Sequence, residues 1–116
     1  MLKVAKFGGS SLSDSTQFAK VKHIVESDDA RKVVVVSAPG RRTSDDNKIT
    51  DLLYICKAHL KYDVSPDPIF EMISARYREI RDQLGLTLDV DSELAEIRSK
   101  ITKKMSVDYL VSRGEY

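Results

Sequence analysis

The stretch Lys6-Phe7-Gly8-Gly9-Ser10-Ser11 places two glycines directly after a short apolar run. The run from Leu2 to Phe7 predicts a β-strand, and a helical pattern begins soon after the glycines. Adjacent glycines let the main chain approach a ligand closely. The amides of such a loop, and of the helix that it opens, suit an anion and above all phosphate. A plain glycine turn beside a solvated lysine is the alternative interpretation.

A second strand is predicted at 32–37, where four consecutive valines favour a central strand buried on both faces. The intervening helix is expected to start near Asp14, which precedes Gln17 by three residues as in a capping box. Strand, helix and strand make a βαβ unit with parallel strands. Because ligands of such sheets bind beyond the carboxyl ends of the strands, Gly8-Gly9 and residues 37–40 are expected to face one crevice.

The rest of the chain reads as helical. Residues 41–46 predict a mobile polar loop, and helices are predicted at about 47–61, from Pro66 to a stop at Gly85, and at about 91–104. Ser65 is the expected N-cap of the middle helix. Ser112-Arg113-Gly114-Glu115 has the Ser-x-x-Glu pattern of a capping box, so a further helix is expected to begin there. The thin sheet and the abrupt ending predict that the chain is a fragment.

The composition limits the function classes. The 116 residues are 41% hydrophobic and 32% charged with a net charge of +1, which gives no reason to expect nucleic acid or an acidic membrane surface as partner. One cysteine, Cys56, excludes an internal disulfide and is expected to pack on an apolar helical face. Neither His23 nor His59 has partners at metal-ligand spacing, so no metal site is predicted. The absence of a signal-like or membrane-spanning stretch favours a cytoplasmic protein.

Four motifs together resemble the amino-terminal part of aspartate kinases, in the amino acid kinase superfamily. They are, in chain order, Lys6-Phe7-Gly8-Gly9-Ser10-Ser11, Val34-Val35-Val36-Ser37-Ala38-Pro39-Gly40, Ile49-Thr50-Asp51-Leu52-Leu53 and Ser112-Arg113-Gly114-Glu115. The resemblance implies an α/β fold: an incomplete three-layer sandwich of the amino acid kinase type, with parallel central strands and a helical insertion at about 45–105. It implies that residues 1–116 are the amino-terminal part of the catalytic domain, without regulatory ACT domains.

The resemblance also implies roles for individual residues. Lys6 resembles the catalytic lysine that contacts the transferred phosphoryl group, and Gly8, Gly9 and Ser10 resemble the loop that holds the ATP phosphates with Lys6. The implied contacts to the substrate L-aspartate come from Ser37, Thr50 and Glu115, the last of which engages the ammonium group. The implied cofactors are ATP and Mg²⁺, with the ion held mainly by the nucleotide, and the full-length protein is expected to be a homo-oligomer.

The implied reaction suits these residue types. A carboxylate acceptor is already ionised at neutral pH, so transfer of a phosphoryl group needs no strong general base. It needs positioning and cationic stabilisation instead. Simpler roles stay open: Thr50 as a surface residue in the first turn of its helix, Ser37 as a cap at the end of its strand, and Glu115 as the N3 partner of Ser112.

Two other functions stay open beside an aspartate kinase. One is another amino acid kinase, of the glutamate or acetylglutamate type, and the other is a non-catalytic remnant that binds phosphate or nucleotide. The parts that hold the adenine and the substrate's α-carboxylate are expected beyond residue 116, so the isolated chain is predicted to be inactive.

Overall fold

The computed structural model describes all residues, 1–116, and has α/β organisation. The strands are β1 (Lys3–Phe7) and β2 (Arg31–Val36), and a short 3₁₀ turn at Gly9–Leu12 follows β1. The helices are α1 (Ser15–Glu26), α2 (Ile49–Lys61), α3 (Asp67–Leu84), α4 (Val90–Lys100) and α5 (Val107–Ser112). The two strands pair in parallel, with Lys6 opposite Val35 and Phe7 opposite Val36. The predicted βαβ unit and the α/β class are therefore confirmed.

The first helix starts where the sequence indicates. Asp14 is the N-cap of α1, and its side chain accepts a hydrogen bond of 3.0 Å from the Gln17 amide. This bond satisfies one of the free amides at the helix start. The glycine loop itself opens the short 3₁₀ turn, and α1 begins after that turn, at the predicted start near Asp14.

The valine run does form a strand, but its predicted burial on both faces is wrong. Each of the four valines from Val33 to Val36 is 41–43% exposed. The sheet has only two strands, and α1, which packs against β2, buries none of its own residues. The residues present therefore do not cover the sheet.

The predicted middle helix is confirmed, with a start one position later. Pro66 occupies the N-cap position of α3, and the Ser65 hydroxyl accepts a hydrogen bond of 3.2 Å from the Asp67 amide. The helix ends at Gly85, whose φ of 65° lies in the left-handed region that glycine adopts without strain. The next helix ends at Lys100 rather than 104, because Ile101 is extended and buried.

The predicted helix start at Ser112 is wrong, because a helix ends there. Ser106 is the N-cap of α5, where its hydroxyl accepts a hydrogen bond of 3.2 Å from the Tyr109 amide. The Ser112 hydroxyl instead donates to the Tyr109 carbonyl at 2.6 Å, one turn back in the same helix. Both serines form hydrogen bonds with nearby backbone. The local sequence pattern therefore does not distinguish a serine at the N-cap of a helix from a serine in its last turn.

The main hydrophobic core lies among α2, α3, α4 and α5. Ten buried residues form it: Ala38, Ile49, Leu52, Leu53, Cys56, Phe70, Ile73, Leu94, Ile101 and Leu110. The prediction that Cys56 packs on an apolar helical face is confirmed, since Cys56 is buried on α2 together with Ile49, Leu52 and Leu53. No helix of this fold combines the length and the apolar character that crossing a lipid bilayer requires.

Candidate functional site

Two loops leave the carboxyl ends of the parallel strands side by side. The Ser37 amide donates to the Phe7 carbonyl at 3.2 Å, and the Gly40 amide donates to the Gly9 carbonyl at 2.8 Å. The Ile49 amide then donates to the Pro39 carbonyl at 3.1 Å, which fixes the start of α2 against the second loop. The expected crevice is therefore built from main-chain contacts.

The two glycines of the first loop have different surroundings. A Cβ atom added to Gly9 would lie 2.9 Å from the Ala38 carbonyl oxygen, whereas one added to Gly8 would meet nothing within 4 Å. Gly40 is equally restricted, with 2.8 Å from its added Cβ to the Gly9 carbonyl carbon. Close packing of the two loops thus accounts for Gly9 and Gly40, and Gly8 keeps open space beside the main chain.

A third loop, after α5, joins the first two. An added Cβ on Gly114 would lie 3.0 Å from the Ala38 Cβ and 3.2 Å from the Ile49 Cγ2. The Tyr77 hydroxyl of α3 donates to the Gly114 carbonyl at 2.7 Å. Burial raises the pKa of that hydroxyl, which remains protonated and able to donate. Gly114 therefore carries its neighbour Glu115 to the crevice.

The three loops and the start of α2 line an open cavity of about 490 Å³. Five of the seven predicted site residues line it, namely Gly9, Ser10, Ser37, Thr50 and Glu115. The other lining residues are Ala38, Pro39, Gly40, Arg41 and Lys48. Residues separated by more than 100 positions in the sequence thus meet at one surface.

Lys6 and Gly8 do not line this cavity. Lys6 lies on β1, one residue before the strand ends, and its side chain is exposed. It forms no ion pair and no side-chain hydrogen bond within the chain. Gly8 is the residue at the start of the 3₁₀ turn, where its carbonyl accepts from the Ser11 amide at 3.1 Å.

The cavity carries two cations that were not among the predicted site residues, Arg41 and Lys48. The Arg41 guanidinium lies 3.9 Å from the Asp51 carboxylate, with half of its side chain exposed. Lys48 is the N-cap of α2, and no side chain caps that helix start. Because the positive end of a helix dipole adds to these charges, the cavity favours anionic groups. Its one carboxylate, Glu115, offers a separate place for a cation.

The loop at 41–46 has no regular structure, as predicted, but an ion pair anchors it. The Arg42 guanidinium donates to both oxygens of Asp46, from Nε at 2.7 Å and from Nη2 at 3.1 Å. This arginine holds the pKa of the Asp46 carboxyl well below its usual range. The same guanidinium reaches the Glu79 carboxylate of α3 at 3.2 Å.

Sequence reasoning missed Arg76, which is 5% exposed in the middle of α3. The signal was its spacing, since Arg76 falls three residues after Ile73 and four before Ile80, on the apolar stripe of the helix. Burial lowers the pKa of its guanidinium. A charged residue at such a position needs hydrogen-bond partners inside the fold.

The residues present do not fit a protein-bound metal ion. The chain has no group of three or more His, Cys, Asp or Glu side chains that could hold one. Glu115 is the single carboxylate that lines the cavity. We therefore assign no Mg²⁺ ligand to these residues.

Comparison with known proteins identifies the family. The scan against protein-family models found no match. The chain is 48% identical to aspartokinase 3 of Bacillus subtilis (strain 168) over 85 residues, or 73% of the chain. It superposes on the crystal structure of the Clostridium acetobutylicum aspartate kinase with a TM-score of 0.93, at 51% identity over 97% of the chain.

The chain belongs to the aspartate kinase family. It spans only 19% of the length of the Bacillus aspartokinase and 26% of the Clostridium aspartate kinase. The E. coli aspartokinase III, solved in complex with aspartate and ADP, matches with a TM-score of 0.75 at 26% identity. That match covers 99% of this chain and 26% of the E. coli chain. This aspartate kinase segment therefore has the fold of the corresponding quarter of those enzymes.

Proposed function

We propose that this segment is the amino-terminal part of an ATP-dependent aspartate kinase, which phosphorylates the side-chain carboxylate of L-aspartate. The observation that carries the proposal is the meeting of Gly9, Ser10, Ser37, Thr50 and Glu115 at one cavity of about 490 Å³. Four of these residues come from three loops that lie far apart in the sequence, and Thr50 comes from the first turn of α2. Their main-chain amides, hydroxyls and carboxylate suit an anionic nucleotide and an amino acid that carries both ammonium and carboxylate groups.

The substrate end of the proposed site lies between the second and third loops. The hydroxyls of Ser37 and Thr50 make no hydrogen bond within the chain, so both are free to donate to a substrate carboxylate. Glu115 is exposed and forms no ion pair, which leaves it free for an ammonium group. Charge complementarity then sets the direction in which aspartate binds.

The nucleotide end of the proposed site lies at the first loop. Gly8 has open space beside its main chain, and Ser10 lines the cavity. Lys6 lies two residues before Gly8 on the strand and has no competing ion pair. We assign Lys6 to the transferred phosphoryl group, where its charge stabilises the transition state.

In the proposed reaction a carboxylate oxygen of aspartate attacks the γ-phosphorus of ATP. The new O–P bond forms as the bond to the ADP oxygen breaks, and the products are 4-phospho-L-aspartate and ADP. The nucleophile is ionised at neutral pH, so the chain supplies no base. Mg²⁺ is expected to arrive with the nucleotide phosphates, as it does in many such sites.

Glu115 separates this proposal from an acetylglutamate-type kinase. An acetylated amino group carries no positive charge, so Glu115 would have no cation to bind and would repel an anionic substrate. The geometry therefore favours an acceptor with a free ammonium group. A complete enzyme that is cytoplasmic and homo-oligomeric remains a prediction, as does the inactivity of the isolated chain.

The experiment uses a full-length kinase that carries this segment, assayed for acyl phosphate formation with aspartate, glutamate and N-acetylglutamate. We expect turnover with aspartate, and Glu115→Gln is expected to raise the KM for aspartate by at least about tenfold, the loss of one charge-assisted contact. Asp108→Asn, an exposed carboxylate on α5 outside the cavity, is the matched control. Equal KM values for the two variants, or a preference for N-acetylglutamate, would contradict the proposal.

A further inference from the structure

Arg76 is a buried cation that the proposed reaction does not use directly. It lies on α3, does not line the cavity, and is 5% exposed. Removing a guanidinium from water is costly unless hydrogen bonds replace the lost hydration. Its nearest carboxylate is Asp46, at 3.9 Å, so a close ion pair does not account for the burial.

The partners of Arg76 are three main-chain carbonyls. Nη2 donates to Ser13 at 2.9 Å and to Gly40 at 2.6 Å, and Nη1 donates to Asn47 at 2.8 Å. Ser13 follows the 3₁₀ turn of the first loop, and Gly40 ends the second loop. Asn47 immediately precedes Lys48 at the start of α2. The Arg76 guanidinium thus binds three chain segments beside the crevice: the one after β1, the one after β2 and the one that begins α2.

We propose that Arg76 is a positioning residue that fixes the glycine loop after β1 relative to the loop after β2. The inference rests on the proposed function, because those loops are assigned to the nucleotide and to aspartate respectively. The loops meet through Gly9 and Gly40, which have no side chains to interlock. The guanidinium on α3 supplies the rigid connection that glycine main chain lacks.

The proposed role has a kinetic consequence. If the glycine loop after β1 shifts relative to the loop after β2, the γ-phosphorus of the nucleotide moves away from the attacking oxygen of aspartate. A displacement of about 1 Å in a reacting pair lowers the rate by about 10²-fold. Each loop still binds its own ligand, so kcat is expected to fall while the KM for aspartate stays nearly constant.

The test compares Arg76→Met with Arg78→Met in a full-length kinase that carries this segment. Arg78 is on the same helix but partly exposed, where it pairs with Glu71 and Asp91. The first readout is hydrogen exchange of the Gly40 amide, which donates to Gly9. We expect Arg76→Met to raise the exchange rate of the Gly40 amide at least about tenfold, which is the effect of losing about one hydrogen bond. The amides of α2 are expected to keep their protection. Arg78→Met is expected to change neither.

The second readout is kinetic: Arg76→Met is expected to lower kcat at least about tenfold with the KM for aspartate changed less than about threefold. Arg76→Lys keeps a cation and is expected to recover part of both losses. If Arg76→Met does not fold, Arg76→Lys is compared with Arg78→Met by the same two readouts, the exchange rate of the Gly40 amide and kcat.

Two results would overturn the inference. One is an unchanged Gly40 exchange rate in Arg76→Met, and the other is equal acceleration of Gly40 and of the α2 amides, which would mark a general loss of stability. Hydrogen exchange without ligand does not depend on the proposed function. If Lys6→Ala left activity intact while Gly40 still lost protection, the proposed function would fail and the positioning role would stand.

Discussion

Two regions of the molecule differ in how far they bury their apolar side chains. We call α2 to α5 the helical region, and β1, β2 and α1 the sheet region. The ten core residues lie between Ala38 and Leu110, all in the helical region and the loop that leads into it. In the sheet region α1 buries no residue and the two strands bury only Phe7. The helical region thus has its own core, whereas the sheet exposes valines that a larger sheet would bury.

The cavity lies where these two regions meet. Its glycine loop extends from the sheet region, whereas Lys48, Thr50 and Glu115 come from the helical region. The site therefore depends on how firmly one region is held against the other. At that boundary the Gly40 amide donates to the Gly9 carbonyl, and the Arg76 guanidinium donates to the carbonyls of Ser13 and Gly40.

The largest expected effect tests whether the helical region holds the core. Leu53 is 2% exposed and Val34 is 41% exposed. Leu53→Ala is expected to lower the free energy of unfolding by about 2–5 kcal/mol, because it removes transfer energy and leaves a cavity. Val34→Ala in the same 116-residue chain is expected to cost less than about 1.5 kcal/mol. Urea unfolding measures both, and similar costs would break the comparison between the regions.

The next effect concerns the sheet region's proposed part in catalysis. In a full-length kinase that carries this segment, Lys6→Ala is expected to lower turnover at least about 10²-fold, because a cation at the transferring phosphoryl group is lost. Lys32→Ala makes the same change of charge near the opposite end of the neighbouring strand and is the control. Both variants are expected to unfold at the same temperature as the parent. Comparable activities for the two variants would refute the role of Lys6.

The boundary between the regions is tested by the two neighbouring glycines. Gly9→Ala is expected to destabilise the fold by about 1–3 kcal/mol, since its Cβ would press on the Ala38 carbonyl oxygen. Gly8→Ala meets no atom within 4 Å at a φ of −76° and is expected to leave thermal stability nearly unchanged. Loss of nucleotide binding by Gly8→Ala with intact stability would further indicate that the open space belongs to the ligand. The opposite order of stability would show that the loops do not pack as described.

The smallest expected effect is on pH dependence at the loop between the regions. Arg42 lowers the pKa of Asp46 in the folded state. The ionised carboxylate therefore stabilises the fold at pH values above 3.8, the ordinary pKa of this group. That contribution, about 1 kcal/mol for a charge-assisted bond, is lost as the pH falls below 3.8 through the folded-state pKa. Asp46→Asn is expected to be less stable than the parent at pH 6 and to approach it at pH 2–3. A constant difference between the two proteins across this range would exclude the pair as the cause.

Much of the fold could be predicted from local sequence. Asp14 and Gly85 mark helix ends by side-chain capping and by left-handed backbone, both of which depend on few residues. The valines predicted the second strand but not its exposure, because burial depends on which other strands the chain contains. Ser112 misled for a similar reason, since a serine bonds to nearby backbone at either end of a helix.

The site was predicted less completely than the strands and helices. Five cavity residues belong to motifs that the sequence displays directly, whereas Arg41 lies in the polar stretch 41–46 that is typical of a solvated loop, and Lys48 lies at the start of a predicted helix. Arg76 is the instructive omission. Its partners are carbonyls at Ser13, Gly40 and Asn47, and no side-chain pattern reveals which carbonyls a fold brings together.

The most direct measurement is a crystal structure of a full-length kinase that carries this segment, bound to L-aspartate and a non-hydrolysable ATP analogue. We expect the terminal phosphate to lie within hydrogen-bond distance of Lys6 Nζ and of the glycine-loop amides, and the aspartate ammonium to lie at Glu115. A triphosphate bound away from this loop, or a Lys6 side chain directed into solvent in that complex, would contradict this expectation.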